Sequence, residues 1–125
     1  MQTFLPYPDF AESAACLDRQ RLGKQRVEVM QILKALSGGS SRGWANHPAT
    51  KMWRGFEESL ISYGVHICRE WKSRGYKDTC EGKTLAFSNG NGIVDPPWLG
   101  DDNFHAAHRS NLLRKDATHY SQFNW

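Results

Sequence analysis

Only three cysteines, Cys16, Cys68 and Cys80, occur in the 125 residues, an odd number with no CxxC spacing. That pattern argues against a disulfide framework and a cysteine metal site, and it points to a reduced, cytoplasmic protein. No run of about 18 apolar residues exists, so no membrane-spanning helix is expected. The N-terminus shows neither a basic n-region nor a long apolar stretch, which argues against export. Excess charge is also small: 16 Lys and Arg against 13 Asp and Glu leave a net +3, too little by itself to imply a polyanion partner. Repeats and convincing strand pairs are absent. The length fits a single domain over residues 1–125, able to bury roughly two thirds of its unfolded surface.

What is present is an uneven placement of cations. Between Arg19 and Lys34 five Lys or Arg face one acid, Glu28, and between His105 and Lys115 three cations and two histidines face none. Such asymmetry is the footprint of a nucleic-acid face, although solvated helix faces produce it too. At about 100° per residue, Leu22, Val29, Met30, Leu33 and Leu36 make one apolar stripe, with Arg26 projecting from its middle. A cation there either snorkels to the core rim or is held to meet an anion. On a flank of the stripe, Arg21, Lys24, Gln25 and Glu28 share about a 100° arc. Two readings fit this flank: ordinary surface pairs, or a phosphate-ester site with one carboxylate base beside it.

The elements follow from punctuation and period. Asp9 with Glu12 resembles a capping box and predicts a short helix over 10–18, followed by the long basic helix over 19–36. Ser37-Gly38-Gly39-Ser40-Ser41 is a turn-rich break. Pro48 suits the first turn of a third helix whose apolar positions Met52, Trp53, Phe56, Leu60, Tyr63, Ile67 and Trp71 run on to Gly75. Gly55 and Gly64 within it read as points of close helix approach. From Cys80 to Gly100 the pattern dissolves into an irregular, functional loop. Asp101 or Asp102 caps a last helix through Lys115, which sets His105 and His108 one turn apart beside Arg109. The fold expected is an all-α compact bundle with a long irregular loop before the last helix.

The order of four motifs, Leu17-Asp18-Arg19-Gln20 leading to Glu28, then Gly43-Trp44-Ala45-Asn46-His47-Pro48, then Glu70-Trp71-Lys72-Ser73-Arg74-Gly75-Tyr76, then His108-Arg109-Ser110-Asn111-Leu112-Leu113-Arg114-Lys115-Asp116, resembles the pyrimidine-dimer DNA glycosylase family of the endonuclease V type, especially its small bacterial relatives. The family is all-helical. The resemblance implies nucleotide flipping from double-stranded DNA, cleavage of the glycosidic bond at a damaged or modified pyrimidine by attack at C1′, and AP-lyase strand cleavage by β-elimination. Its nucleophile is an N-terminal α-amine, a group with an ordinary pKa near about 8. Gln2 is too bulky for ordinary methionine removal, so the amine expected here is that of Met1. The motif places the essential glutamate at Glu28 and phosphate-gripping arginines at Arg19, Arg21 and Arg26; Val27 stands where the family carries an arginine.

Further candidates accompany these. Asn46 and His47 sit at a helix entrance, where His47 either contacts phosphate and activates water or, with Asn46, simply caps the helix. Lys24, Asn46, His105, His108, Arg109, Arg114 and Lys115 complete the expected DNA contacts. Trp98 and Trp125, outside the helical stripes, either stack on unpaired bases or pack on the surface. His105 and His108 lack an acidic or cysteine companion at ligand spacing, so neither a metal nor another cofactor is expected. The expected protein is a monomeric DNA glycosylase. The alternatives are a non-catalytic DNA-binding module of the same fold and a metal-dependent hydrolase built on His105 and His108.

Overall fold

The computed structural model describes residues 2–38 and 45–125. The Asp9 carboxylate accepts from the Glu12 N–H at 2.9 Å and opens α1 (Phe10–Cys16). Asp18 then caps α2 (Arg19–Leu36) by accepting from the Arg21 N–H. Four further helices follow: α3 (Pro48–Trp53), α4 (Glu57–Ser73), α5 (Glu81–Leu85) and α6 (Asp102–Lys115). A short α7 (Ala117–Tyr120) and a 3-10 turn (Ser121–Phe123) complete the order. Among the described residues there is no strand, and the fold is an all-α bundle.

The bundle is organised on α2 and α4, which pack along each other while α1 lies against α4 and α5 closes against both. Leu22, Val29, Ile32 and Leu33 of α2 meet Leu60, Ile61, Tyr63 and Ile67 of α4 in one core, joined by Trp53, Leu112 and Tyr120. Each fully buried aliphatic side chain there contributes about 1.5–3 kcal/mol. A Cβ on Gly64 would stand 2.7 Å from Val29 Cγ1 and 3.1 Å from Thr84 Cγ2, so the approach of α2, α4 and α5 requires glycine at that point.

Three expectations from sequence are corrected. The helix expected from Pro48 to Gly75 is two helices, because Gly55 adopts φ +87° between them and its N–H is taken by Glu57 Oε1 at 3.1 Å. Gly55 is therefore a turn, with no atom within 4 Å of a Cβ placed on it, and only Gly64 is a close approach. The apolar period ran through the break because both helices face the same core. The stretch from Cys80 to Gly100 is also not wholly irregular: it begins with α5, whose buried Thr84 faces Gly64. Further on, Trp98 sets its ring edge-on to Trp53 at 4.8 Å and donates Nε1–H to Met52 O, which makes it a packing residue. Trp125 likewise stacks on Tyr120 and Phe123 and donates to the Tyr7 hydroxyl at 2.9 Å, so neither ring is offered to a base.

Candidate active site around Glu28

The segment over 3–6 is buried on the bundle and held at successive residues. Trp53 Nε1–H donates to Thr3 Oγ1, the Phe4 N–H donates to Tyr63 Oη, and Arg109 donates to Pro6 O at 2.8 Å. Leu5 is held on both sides by α6: its N–H donates to His108 Nδ1 at 2.9 Å, and its carbonyl faces His105 Nδ1 at 2.7 Å. His105 Nε2 accepts from the Gly100 N–H, so the proton of this buried ring sits on Nδ1.

This clamp brings the start of the chain against α2. The Gln2 N–H points at Glu28 Oε2 at 3.3 Å. Gln25, wholly buried, donates from Nε2 both to that same oxygen at 2.9 Å and to Gln2 O at 2.6 Å. Both of those partners are acceptors, which fixes the amide orientation, and Gln25 Oε1 then accepts from Tyr63 Oη at 2.7 Å. Burial pushes the Tyr63 phenol well above its ordinary value, so it remains a donor. Among the described residues no donor meets Glu28 Oε1.

Cations surround this carboxylate on two sides. One depression of about 230 Å³ is lined by Glu28, Gln2, Gln20, Gln25, Phe4 and the three cations Arg21, Lys24 and Lys115. A wider, open one of about 810 Å³ lies on the other side of Glu28 and Lys24, with Arg19, Val27, Gln31 and Trp71 on its walls. Gly23 permits this second surface, since a Cβ there would meet the Trp71 ring at 3.1 Å. The wall is a ladder of cations and rings: Arg26 lies over Trp71 at 4.6 Å, Trp71 stacks on Tyr76 at 4.4 Å, and Arg19 lies over Tyr76 at 6.0 Å.

The sequence-derived candidates divide accordingly. Arg19, Arg21, Lys24, Glu28 and Lys115 converge on the two depressions. Arg21 also pairs with Asp18 at 3.2 Å. Arg26 is corrected: the anion it meets is Asp78 of the same chain, at 2.8 Å, and it is committed to the bundle. Burial opposes ionisation of Asp78, but N–H donors from Glu81 and Cys80 and the Arg26 charge hold its carboxyl below the ordinary range. His105, His108 and Arg109 each spend polar atoms on the backbone of Leu5, Pro6 and Gly100, and none of them lines either depression. Three of the four ring nitrogens of His105 and His108 are thus spent, which removes the ligands of the metal-hydrolase alternative. His47 accepts from the Ala49 N–H at 3.1 Å, the capping reading, and lines neither depression. Asn46 is exposed, and Arg114 donates to Asn111 Oδ1 at 2.6 Å. Met1 and Gly43-Trp44 lie outside the described residues.

Sequence reasoning placed Gln25 on a helix flank and missed the tether it makes. The signal was available: Gln25 falls between Leu22 and Val29 on the buried stripe, a polar group at a core position that must have partners. Trp71 and Asp78, as partners of Arg26, were not legible, since they arrive from α4 and the turn after it.

The family described as pyrimidine dimer DNA glycosylase matches the chain over residues 1–84, a span that contains α1 to α4, Glu28 and the cations of α2. Lys115 and the histidine clamp lie beyond that span. No curated protein and no solved structure matches the chain.

Proposed function

Because this chain belongs to the pyrimidine dimer DNA glycosylase family, we propose that it releases a damaged pyrimidine from duplex DNA at Glu28, using the α-amine of Met1 as nucleophile, and then cleaves the backbone as an AP lyase. The observation that supports this reading most is the contact of the Gln2 N–H with Glu28 Oε2 at 3.3 Å, since the α-amine of residue 1 is three covalent bonds from that nitrogen. That contact holds the peptide that follows Met1 against the carboxylate, at the edge of a depression lined by cations.

Arg19, Arg21, Lys24 and Lys115 neutralise phosphates flanking the lesion, which lowers the cost of extruding a nucleotide whose stacking is already damaged. The unprotonated amine attacks C1′; the N–C1′ bond forms as the glycosidic bond breaks, and the base takes the bonding pair and the proton that the attacking amine sheds, remaining joined to its dimer partner. Glu28 stabilises the positive charge that develops on the sugar. Opening of the sugar gives an imine, and Glu28 removes a C2′ proton as the 3′ phosphate leaves.

The test is borohydride trapping on a duplex carrying one defined pyrimidine dimer, followed by mass spectrometry. DNA joined to the first peptide is expected, and acetylation of the N-terminus abolishes it. Full glycosidic-bond cleavage by the acetylated protein, read as alkali-labile strand scission, overturns the amine as nucleophile; no such cleavage of any lesion duplex overturns the enzyme reading and leaves a DNA-binding module.

A further inference from the structure

The three hydrogen bonds of the Gln25 amide have no counterpart in an ordinary helix face. Both N–H groups point at acceptors from the two partners that the reaction requires in register, the Glu28 carboxylate and the peptide of Gln2. The amide oxygen is held by a phenol from another helix. A buried amide with every polar group engaged is rigid, because any rotation leaves a buried donor or acceptor unpaired. Both donors to Glu28 also reach the same oxygen, Oε2.

We propose that Gln25 is a positioning residue that divides the labour of the Glu28 carboxylate, anchoring Oε2 to the first peptide so that Oε1 is presented to the sugar at a fixed distance from the chain terminus. This inference rests on the reading of Glu28 as the reacting carboxylate, but half of its content is geometric and stands apart from any activity. Tyr63 completes the device, its hydroxyl bridging Gln25 Oε1 and the backbone of Phe4. The distance between nucleophile and carboxylate is then set by two side chains that touch no substrate.

The experiment uses Gln25→Met, which keeps the volume and removes every hydrogen bond, with Tyr63→Phe as the milder second variant. The first measurement is the ¹⁵N relaxation of the Gln2 amide in the free protein. In the wild type an order parameter near about 0.85 is expected, falling below about 0.6 in Gln25→Met, while Phe4 and Leu5 stay rigid. The second is single-turnover cleavage of one glycosidic bond of the dimer, read as alkali-labile strand scission, expected to fall about 100-fold, the cost of roughly 1 Å of misplacement. Duplex affinity stays within about threefold, as for a loss confined to the chemical step. A Gln2 amide that remains rigid in the folded variants, or glycosidic-bond cleavage within about threefold of wild type, overturns the inference. A wild-type protein that cleaves no glycosidic bond of the dimer overturns the proposed function instead, and the relaxation data then decide the tether alone.

Discussion

His105 and His108 grip the same residue from opposite sides of its peptide, one facing Leu5 O at 2.7 Å and the other accepting from Leu5 N–H at 2.9 Å. The two imidazoles therefore need different tautomers, the proton on Nδ1 in His105 and on Nε2 in His108, and each is neutral. Protonation of His108 would set a positive charge against the Leu5 N–H and cost that bond.

A pH dependence of stability follows. Burial, and secondarily the neighbouring His105, push His108 from 6.5 down to about 4. Below pH 6.5 the unfolded chain takes a proton that the folded chain refuses, so stability is full above that value and is lost as pH falls toward 4. The loss is at most on the order of 3 kcal/mol. Thermal melts at pH 7.5, 5.5 and 4.5 measure it, and His108→Asn, which keeps an acceptor but does not titrate, is expected to have the flatter profile.

Glu28→Gln keeps the volume and the packing against Gln25 while removing the charge that stabilises the sugar. Normal folding, unchanged duplex affinity and no alkali-labile strand scission are expected in a gel assay on the dimer duplex; scission at the wild-type rate would remove Glu28 from the chemistry.

The cations of α2 are separable by what holds them. Replacing Arg21 and Lys24 together by Gln is expected to flatten the log–log salt slope of duplex binding by up to about two. Arg26→Gln leaves the slope unchanged, because Arg26 answers Asp78, and it lowers the melting midpoint by leaving that buried carboxylate without its cation. Equal slopes for the double variant and the wild type would return Arg21 and Lys24 to a solvated face.

Gly64→Ala tests the helix approach directly. With Val29 Cγ1 2.7 Å from the new methyl, α2 and α4 must separate, and destabilisation of about 1–3 kcal/mol is expected in denaturant melts.

Local signals carried much of this into the sequence. The caps at Asp9 and Asp101 and the span of α2 were legible because a cap and a 3.6-residue period are written within a few positions of each other. The break at Gly55 was not, since helices on either side of a turn can keep one apolar phase when they share a core. Arg26 shows the same limit at the site. Its position on the apolar stripe left a place at the core rim or an anion partner open, and which of these held, with Asp78 as the anion, depended on a contact across 52 positions. Glu28 was legible from its motif and from its isolation among cations, whereas its dependence on Gln2, Gln25 and Tyr63 arises only when three distant segments meet.

The loop between α5 and α6 decides where the protein tolerates an attachment. Ser88 and Asn89 are tied to Glu58 and to their own chain neighbours, and Gly90 to Asp95 are exposed, whereas Trp98 and Gly100 are bonded to Met52 and His105. A purification handle or fluorophore inserted near Gly92 therefore displaces no packed group. A proposed mechanism that needs an unblocked α-amine forbids the usual N-terminal handle, and this exposed span gives the protein an internal one.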